Sequence, residues 1–394
     1  MKDWLGIGIL NAKPEEWKKS RRVLAPAFSS DMLSKYVKKF DKTASNLVEK
    51  FRPAANSGEE IDVLLQIKNS NLEAIVEAAL GVSIQSCGKE GENFCNSVME
   101  AMKEGAVRIQ YPWLIPHHIY TIYLKWTGKT KDIEHLRYLP TKILREKMDN
   151  IRNSLGADND STDNANSSKT IIDLLISKSS TELGFNEIRI RDELLLMIAS
   201  GAETTALTIS FAMLMFAIHQ DIQQKAYEEI QQLTTADYDE LTEDHWTDHL
   251  KYLEQCIKET MRMFSPVMVT SRRTYKEIIL KDNTIVPANM FVATFIHLAN
   301  YDSELYKNPE KFDPQNFSDQ AIKERPNCSQ LNFGYGPRSC IGFKYAMMSI
   351  KAQLTYILRS YHLSSSIKQF TKENLKTDLS IRSRIGYPIK FTSR

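Results

Sequence analysis

The sequence is short of the features that mark small stapled domains. Its 394 residues hold five cysteines, Cys87, Cys95, Cys256, Cys328 and Cys340, with no Cys-x-x-Cys pair among them. An odd count at wide spacings argues against a disulfide framework and a structural zinc site, and fits a reducing compartment. Charge of one sign is also scarce. The 51 Lys and Arg against 49 Asp and Glu leave a net +2, too little for a nucleic-acid-binding surface. The opening "MKDWLGIGIL" is too short and too weakly apolar for a signal peptide or an anchor. Long apolar runs are missing with one exception. Leu194 to Ile218 carries a single charge, Glu203, and is long enough to span a bilayer. One central carboxylate costs only about 3 kcal/mol on insertion scales. Polar residues nevertheless gather at its midpoint as Glu203-Thr204-Thr205, and the charged pattern "HQDIQQKAYEEIQQ" follows at once. The run is therefore read as the central buried helix of a large soluble domain.

What is present is mostly helix. A chain of this length can bury a large core as one big domain or two. Apolar residues recur at three- and four-residue spacing over 28–51, 69–80, 92–108, 136–155, 186–233 and 249–264, which predicts helices there. The polar, low-complexity stretch 155–169 predicts a loop. Strand signals come late. "TYKEIILKDNTIVPANMFVATFI" predicts a hairpin turning at Asp282-Asn283, and "DLSIRSRIGYPIKFTSR" alternates toward the C-terminus. Between them "NPEKFDPQNF" is a Pro/Asp/Asn-rich meander. The expected class is mainly α with small sheets.

The most specific stretch is Phe333 to Gly342, "FGYGPRSCIG". After it the spacing predicts a helix that buries Phe343, Ala346, Met347, Ile350, Leu354 and Ile357. Cys340 then stands at that helix's first turn, where free N–H groups and the positive dipole end favour a thiolate. Gly336 and Gly342 permit unusual backbone angles and close approach of a flat partner. Arg338 can face an anionic group on that partner. An isolated cysteine beside a glycine-rich turn is ordinarily a buried structural residue. Phe333, Gly336, Arg338, Cys340 and Gly342 together point instead to an axial metal ligand.

This stretch is similar to the heme-binding loop of the cytochrome P-450 superfamily, whose pattern is F-x-x-G-x-R-x-C-x-G. The resemblance implies the P-450 fold, heme b (iron protoporphyrin IX), and Cys340 as the thiolate on its iron. Thiolate ligation pushes electron density onto the metal and favours O–O cleavage. Four more segments resemble family motifs. Glu259 and Arg262 of "KETMR" lie one helical turn apart and resemble the E-x-x-R helix that locks onto the meander. There Asn316 stands where many members carry arginine, so it brings a hydrogen bond without a charge. Trp17 and Arg21 of "WKKSRR" resemble the W-x-x-x-R helix that meets a heme propionate. Arg272 matches, more loosely, a further propionate-binding arginine. Ser200 to Thr205, "SGAETT", resembles the oxygen-activating motif (A/G)-G-x-(D/E)-T-(T/S). In that role Gly201 leaves room over the iron, Glu203 delivers protons and Thr204 relays them.

The likeness covers nearly the whole chain and is strongest to the family-4 clan, especially its animal and insect members. It implies one P-450 domain over 1–394. It implies monooxygenation of an apolar small molecule such as a fatty acid, related lipid, hormone or xenobiotic. It implies O2 and electrons from an NADPH-cytochrome P-450 reductase, at the cytosolic face of the endoplasmic reticulum membrane. Ala199, Ala202, Met268 and Val269 are candidate pocket residues. Two departures matter. Many mammalian members carry a heme-esterifying glutamate where Ser200 stands, so the heme is expected to be non-covalent apart from its Cys340–iron bond. Trp17 also stands almost at the start, so the usual anchor and first β/helix segment are expected to be missing and the natural product to be longer. The rival classes are a P-450-fold isomerase or dehydratase acting on lipid peroxides, against which Glu203-Thr204 speaks, and a heme-deficient remnant.

Overall fold

Apolar residues three and four apart make the longest amphipathic segment, Ser30–Ser57 (α2). It buries Leu33, Tyr36, Val37, Phe40, Ala44, Leu47, Phe51 and Ala54 along one stripe. It outruns its expected end at Phe51 and stops at Gly58, whose φ of 69° lets its N–H bond Ala54. In this computed structural model the described residues are 2–155, 170–179, 185–234 and 249–394. Nearly all of the expected loop at 155–169 lies outside them.

The other main helices are Pro14–Leu24 (α1), Leu64–Leu80 (α3), Gly88–Gln110 (α4), His117–Trp126 (α5), Thr130–Leu155 (α6), Ile171–Ser179 (α7), Glu187–Ile218 (α8), Gln220–Thr234 (α9), Lys251–Met263 (α10) and Phe343–Ser360 (α11). The single helix expected over 186–233 is two. His219, at φ −103° and ψ 83°, breaks the ladder, and its ring stacks on Phe312. α8 is the apolar run, and it is buried almost throughout. It packs against α3, α6, α10 and α11, so its hydrophobicity serves the protein core. α11 begins later in its pattern than expected. Phe343 is exposed and Ala346 half-buried, and the buried face starts at Tyr345 and Met347.

The sheets are small. β1 (Glu60–Asp62) and β6 (Tyr361–Ser364) flank β9 (Pro388–Ser393), all antiparallel. The hairpin exists in two nested parts. β3 (Ile278–Ile279) pairs with β4 (Ile285–Val286) around Asn283 at φ 66°. β2 (Val269–Arg273) pairs with β5 (Phe291–Phe295). β7 (Leu375–Thr377) pairs with β8 (Ile381–Ser383).

Candidate active site

Cys340 is held by a loop that closes on itself. Its N–H donates to the Phe333 carbonyl at 2.7 Å. Gly334 and Gly336 sit at φ 71° and 75°, where a side chain is strained. Pro337 then opens a short 3₁₀ turn, Gly336–Arg338. Gly342, at φ −91°, needs no such freedom, contrary to expectation. A Cβ there would make an ordinary 3.5 Å contact with Phe28. Phe333 packs edge-on against Phe343, ring centroids 4.7 Å apart.

Cys340 is exposed, yet burial pushes its thiol up. The Gly342 N–H and the Arg21 charge act in the thiolate's favour, but burial outweighs them. The helix end alone therefore does not deliver the thiolate expected from the sequence. A cation at the sulfur does, so the donor fits an iron ligand.

The basic residues round this loop converge. Arg21 on α1 donates to the Ser339 carbonyl at 2.8 Å. Arg338 donates to the Ala12 carbonyl at 3.2 Å and lies over the Trp17 ring, 4.6 Å from its centroid. Arg272 on β2 is near enough for its charge, after burial, to hold the Arg338 guanidinium below its ordinary range. Among the described residues none of the three is ion-paired with a carboxylate. Guanidiniums gathered without an anion fit a carboxylated ligand such as heme.

The motif on α8 divides by helical phase. From Leu194 to Ala217 every residue is buried except Ser200, Gly201 and Thr204, which share one face. Ala199 and Ala202, expected in the pocket, point into the core; 100° per residue separates them from that open face. Met268 and Val269 are half-buried. The Ser200 and Thr204 hydroxyls donate back to Leu196 at 2.6 Å and Ser200 at 2.8 Å. At Gly201 a Cβ would come within 3.3 Å of Ile75 on α3, so this glycine also serves close helix packing.

Glu203 is 3% exposed and lies between two cations, Lys68 Nζ at 2.8 Å and Arg382 Nη2 at 2.6 Å. Its carboxylate and the Thr204 hydroxyl therefore serve different partners. Lys68 and Arg382 carry no signal in the sequence. A carboxylate in an apolar helix demands a partner, but nothing in "IKNSN" or "SIRSR" names it.

Glu259 and Arg262 are fully buried. Arg262 grips Glu259 through Nε at 2.7 Å and Nη2 at 2.8 Å, a bidentate fork. Its Nη1 donates to the Asn300 and Pro309 carbonyls. Asn316 Nδ2 donates to Glu259 at 3.1 Å. The three-residue network is complete, with an amide in its third place.

With this geometry described, comparison with known proteins is decisive for the family. The profile of the Cytochrome P450 family matches residues 1–389. Cytochrome P450 4g15 of Drosophila melanogaster is 25% identical, over 100% of this chain and 79% of that protein. Cytochrome P450 4F6 of Rattus norvegicus is 28% identical, over 98% and 72%. The ultra-long-chain fatty acid omega-hydroxylase of Homo sapiens is 26% identical, over 99% and 73%. The crystallised heme domain of cytochrome P450DA superposes with a TM-score of 0.82 at 20% identity, over 100% and 81%. The chain belongs to the cytochrome P450 family. It is a monooxygenase-class oxidoreductase of that fold, with heme b on a cysteine thiolate and with O2, an apolar substrate and a redox partner.

Proposed function

We propose that Cys340 is the thiolate ligand, and that the chain is a single domain hydroxylating an aliphatic chain of a fatty acid or related lipid. The observation that carries the ligand assignment is the exposed Cys340 in a loop closed by its own N–H bond to the Phe333 carbonyl, with Arg21 and Arg338 gathered round it. The lipid class is supported by the similarity to the human fatty acid omega-hydroxylase. Membrane association, at the endoplasmic reticulum, is supported by exposed Trp113, Ile115, Ile122 and Trp126 on one short segment. NADPH-cytochrome P-450 reductase is the proposed electron donor.

When bound, heme supplies the oxygen chemistry. The chain's own groups do the rest. Arg21, Arg338 and Arg272 neutralise its carboxylates, and Trp17 packs against Arg338. Phe333 and Gly336 fix the loop, and the Gly342 N–H tempers the charge on Cys340 Sγ. Ser200, Gly201 and Thr204 form the open face of α8. For Glu203 to bring protons to the Thr204 Oγ1 it would have to leave Lys68 or Arg382, and Thr204 its bond to Ser200. Glu259, Arg262 and Asn316 hold the meander under the loop.

The test is Cys340→Ser. The reduced protein treated with carbon monoxide is expected to lose the red-shifted band that thiolate ligation produces. A surviving band would remove Cys340 as the ligand. With Ser200 at the position of the esterifying carboxylate, acidified organic solvent is expected to extract the heme. Heme that stayed on the denatured polypeptide would contradict non-covalent binding.

A further inference from the structure

We infer that Arg325 is a positioning residue for the heme loop, supplying from outside the meander the positive charge that Asn316 does not carry. Four observations converge on it. A guanidinium N–H of Arg325 donates to the Asn316 backbone carbonyl, while the Asn316 side chain donates to Glu259. Arg325 Nε donates to the Ala321 carbonyl at 3.1 Å, so the side chain folds back over the short helix Asp319–Glu324 that it caps. The guanidinium lies 4.5 Å from the Tyr306 centroid and 5.0 Å from that of Phe317. Tyr306 also carries the Arg262 guanidinium at 5.0 Å, so one buried ring serves two cations.

Arg325 is a second cation beside a carboxylate that Arg262 already neutralises. Arg262 spends both fork nitrogens on Glu259, and the Glu259 Oε1 accepts from Asp313 N–H and Asn316 besides. Glu259 attracts Arg325 and Arg262 repels it, so Arg325 sits in the field of the same carboxylate. No carboxylate ion-pairs with Arg325 among the described residues, and its Nη1 is buried without a partner. Burial outweighs the pull of Glu259 and holds the Arg325 guanidinium below its ordinary range, so the side chain is kept in place by its hydrogen bonds to Asn316 and Ala321 and by the Tyr306 and Phe317 rings.

The network reaches the segment before the cysteine loop at Ser329 and the residue next to the loop at Asn332. The Tyr306 hydroxyl donates to Ser329 at 3.2 Å. Asn300, whose carbonyl accepts from Arg262, donates through Nδ2 to Asn332 at 2.9 Å. Asn332 adjoins Phe333, whose carbonyl fixes Cys340. Arg325 thus acts on heme retention through Asn316, Tyr306 and the loop, and in this respect the inference rests on the Cys340 reading.

The experiment is a charge-relocation cycle on the heme-loaded protein: Arg325→Gln, Asn316→Arg, both together, and Arg325→Lys. Two quantities are read, the thermal midpoint by circular dichroism and the rate of heme transfer to excess apomyoglobin. Arg325→Gln is expected to lower the midpoint by several degrees and to speed heme loss on the order of tenfold. Arg325→Lys keeps charge but not the planar fork and falls between. Asn316→Arg harms the parent, where a third guanidinium then joins Arg262 and Arg325 in the field of Glu259, and helps Arg325→Gln. That reversal of sign is the signature. Asn316→Arg acting alike in both backgrounds, or Arg325→Gln matching the parent in midpoint and heme loss, overturns the inference. A shifted midpoint with unchanged heme transfer overturns the link to the loop, whereas the Cys340 reading fails only if Cys340→Ser keeps its band. If Arg325→Gln alone does not fold, a folded double variant supports the relocation and an unfolded one refutes it.

Discussion

At the scale of single residues, Glu203 and Thr204 show how neighbours in sequence part company in space. The Thr204 hydroxyl bonds its own helix and faces the open side of α8, while Glu203 is locked between Lys68 and Arg382. Thr204→Ala removes the last relay atom without touching the ion triad. Electron use is expected to uncouple from product, with hydrogen peroxide released in place of oxygenated substrate, as measured by peroxide yield per NADPH consumed. Lys68→Met leaves Glu203 with one cation. The loss is expected to be on the order of 2–3 kcal/mol, below that of breaking an isolated buried pair because Arg382 remains, and is read from urea denaturation. Cys340 offers a pH test. Its thiol titrates above the ordinary cysteine range because burial disfavours the thiolate. In heme-free protein it is therefore expected to alkylate slowly at pH 8, despite its exposure, and faster as pH climbs. Mass-spectrometric mapping against exposed Cys328 checks this. Fast reaction of Cys340 at pH 7 would mean that its surroundings do not desolvate it.

At the scale of elements, the loop before α11 permits a sharper comparison. Gly336 has φ 75° and open space where a Cβ would go, whereas Gly342 has an ordinary φ. Gly336→Ala is expected to cost about 1 kcal/mol from backbone strain alone, and Gly342→Ala close to nothing. Thermal midpoints decide, and equal losses would contradict the loop geometry. The same elements mark what the sequence disclosed. The stripe on α2, the burial of α8 and the strand alternation after Ser380 follow from periodicity, which side-chain burial imposes directly. The break at His219 did not show, because its cause is contact with Phe312 from a distant segment. Helix α7 is only nine residues long, too short for its period to register. Among site residues, Cys340, Arg338, Trp17 and Arg21 lie in motifs whose spacing carries meaning. Lys68, Arg382 and Arg325 enter through tertiary contacts, and no local pattern marks them.

At the scale of the molecule, the ribbon of β2 and β5 is poorly covered. Phe291, Val292 and Phe295 are exposed on it, as are Ile279 and Ile285 on the adjoining pair. Unpaired strand edges with apolar faces invite association. The chain of residues 1–394 produced alone is expected to self-associate, and light scattering with and without mild detergent measures it. Monodisperse protein without detergent would show that the ribbon is adequately shielded. The placement of the tryptophans has an optical consequence. Trp4 is buried, Trp113 and Trp126 are exposed on the segment before α6, and Trp17 lies against Arg338 beside the proposed porphyrin. Energy transfer to a porphyrin falls steeply with distance, so among the described tryptophans Trp17 is the emitter expected to darken most when the cofactor arrives. Its fluorescence is a built-in gauge of loading: a Trp17→Phe variant is expected to show a smaller emission change on heme titration than the parent.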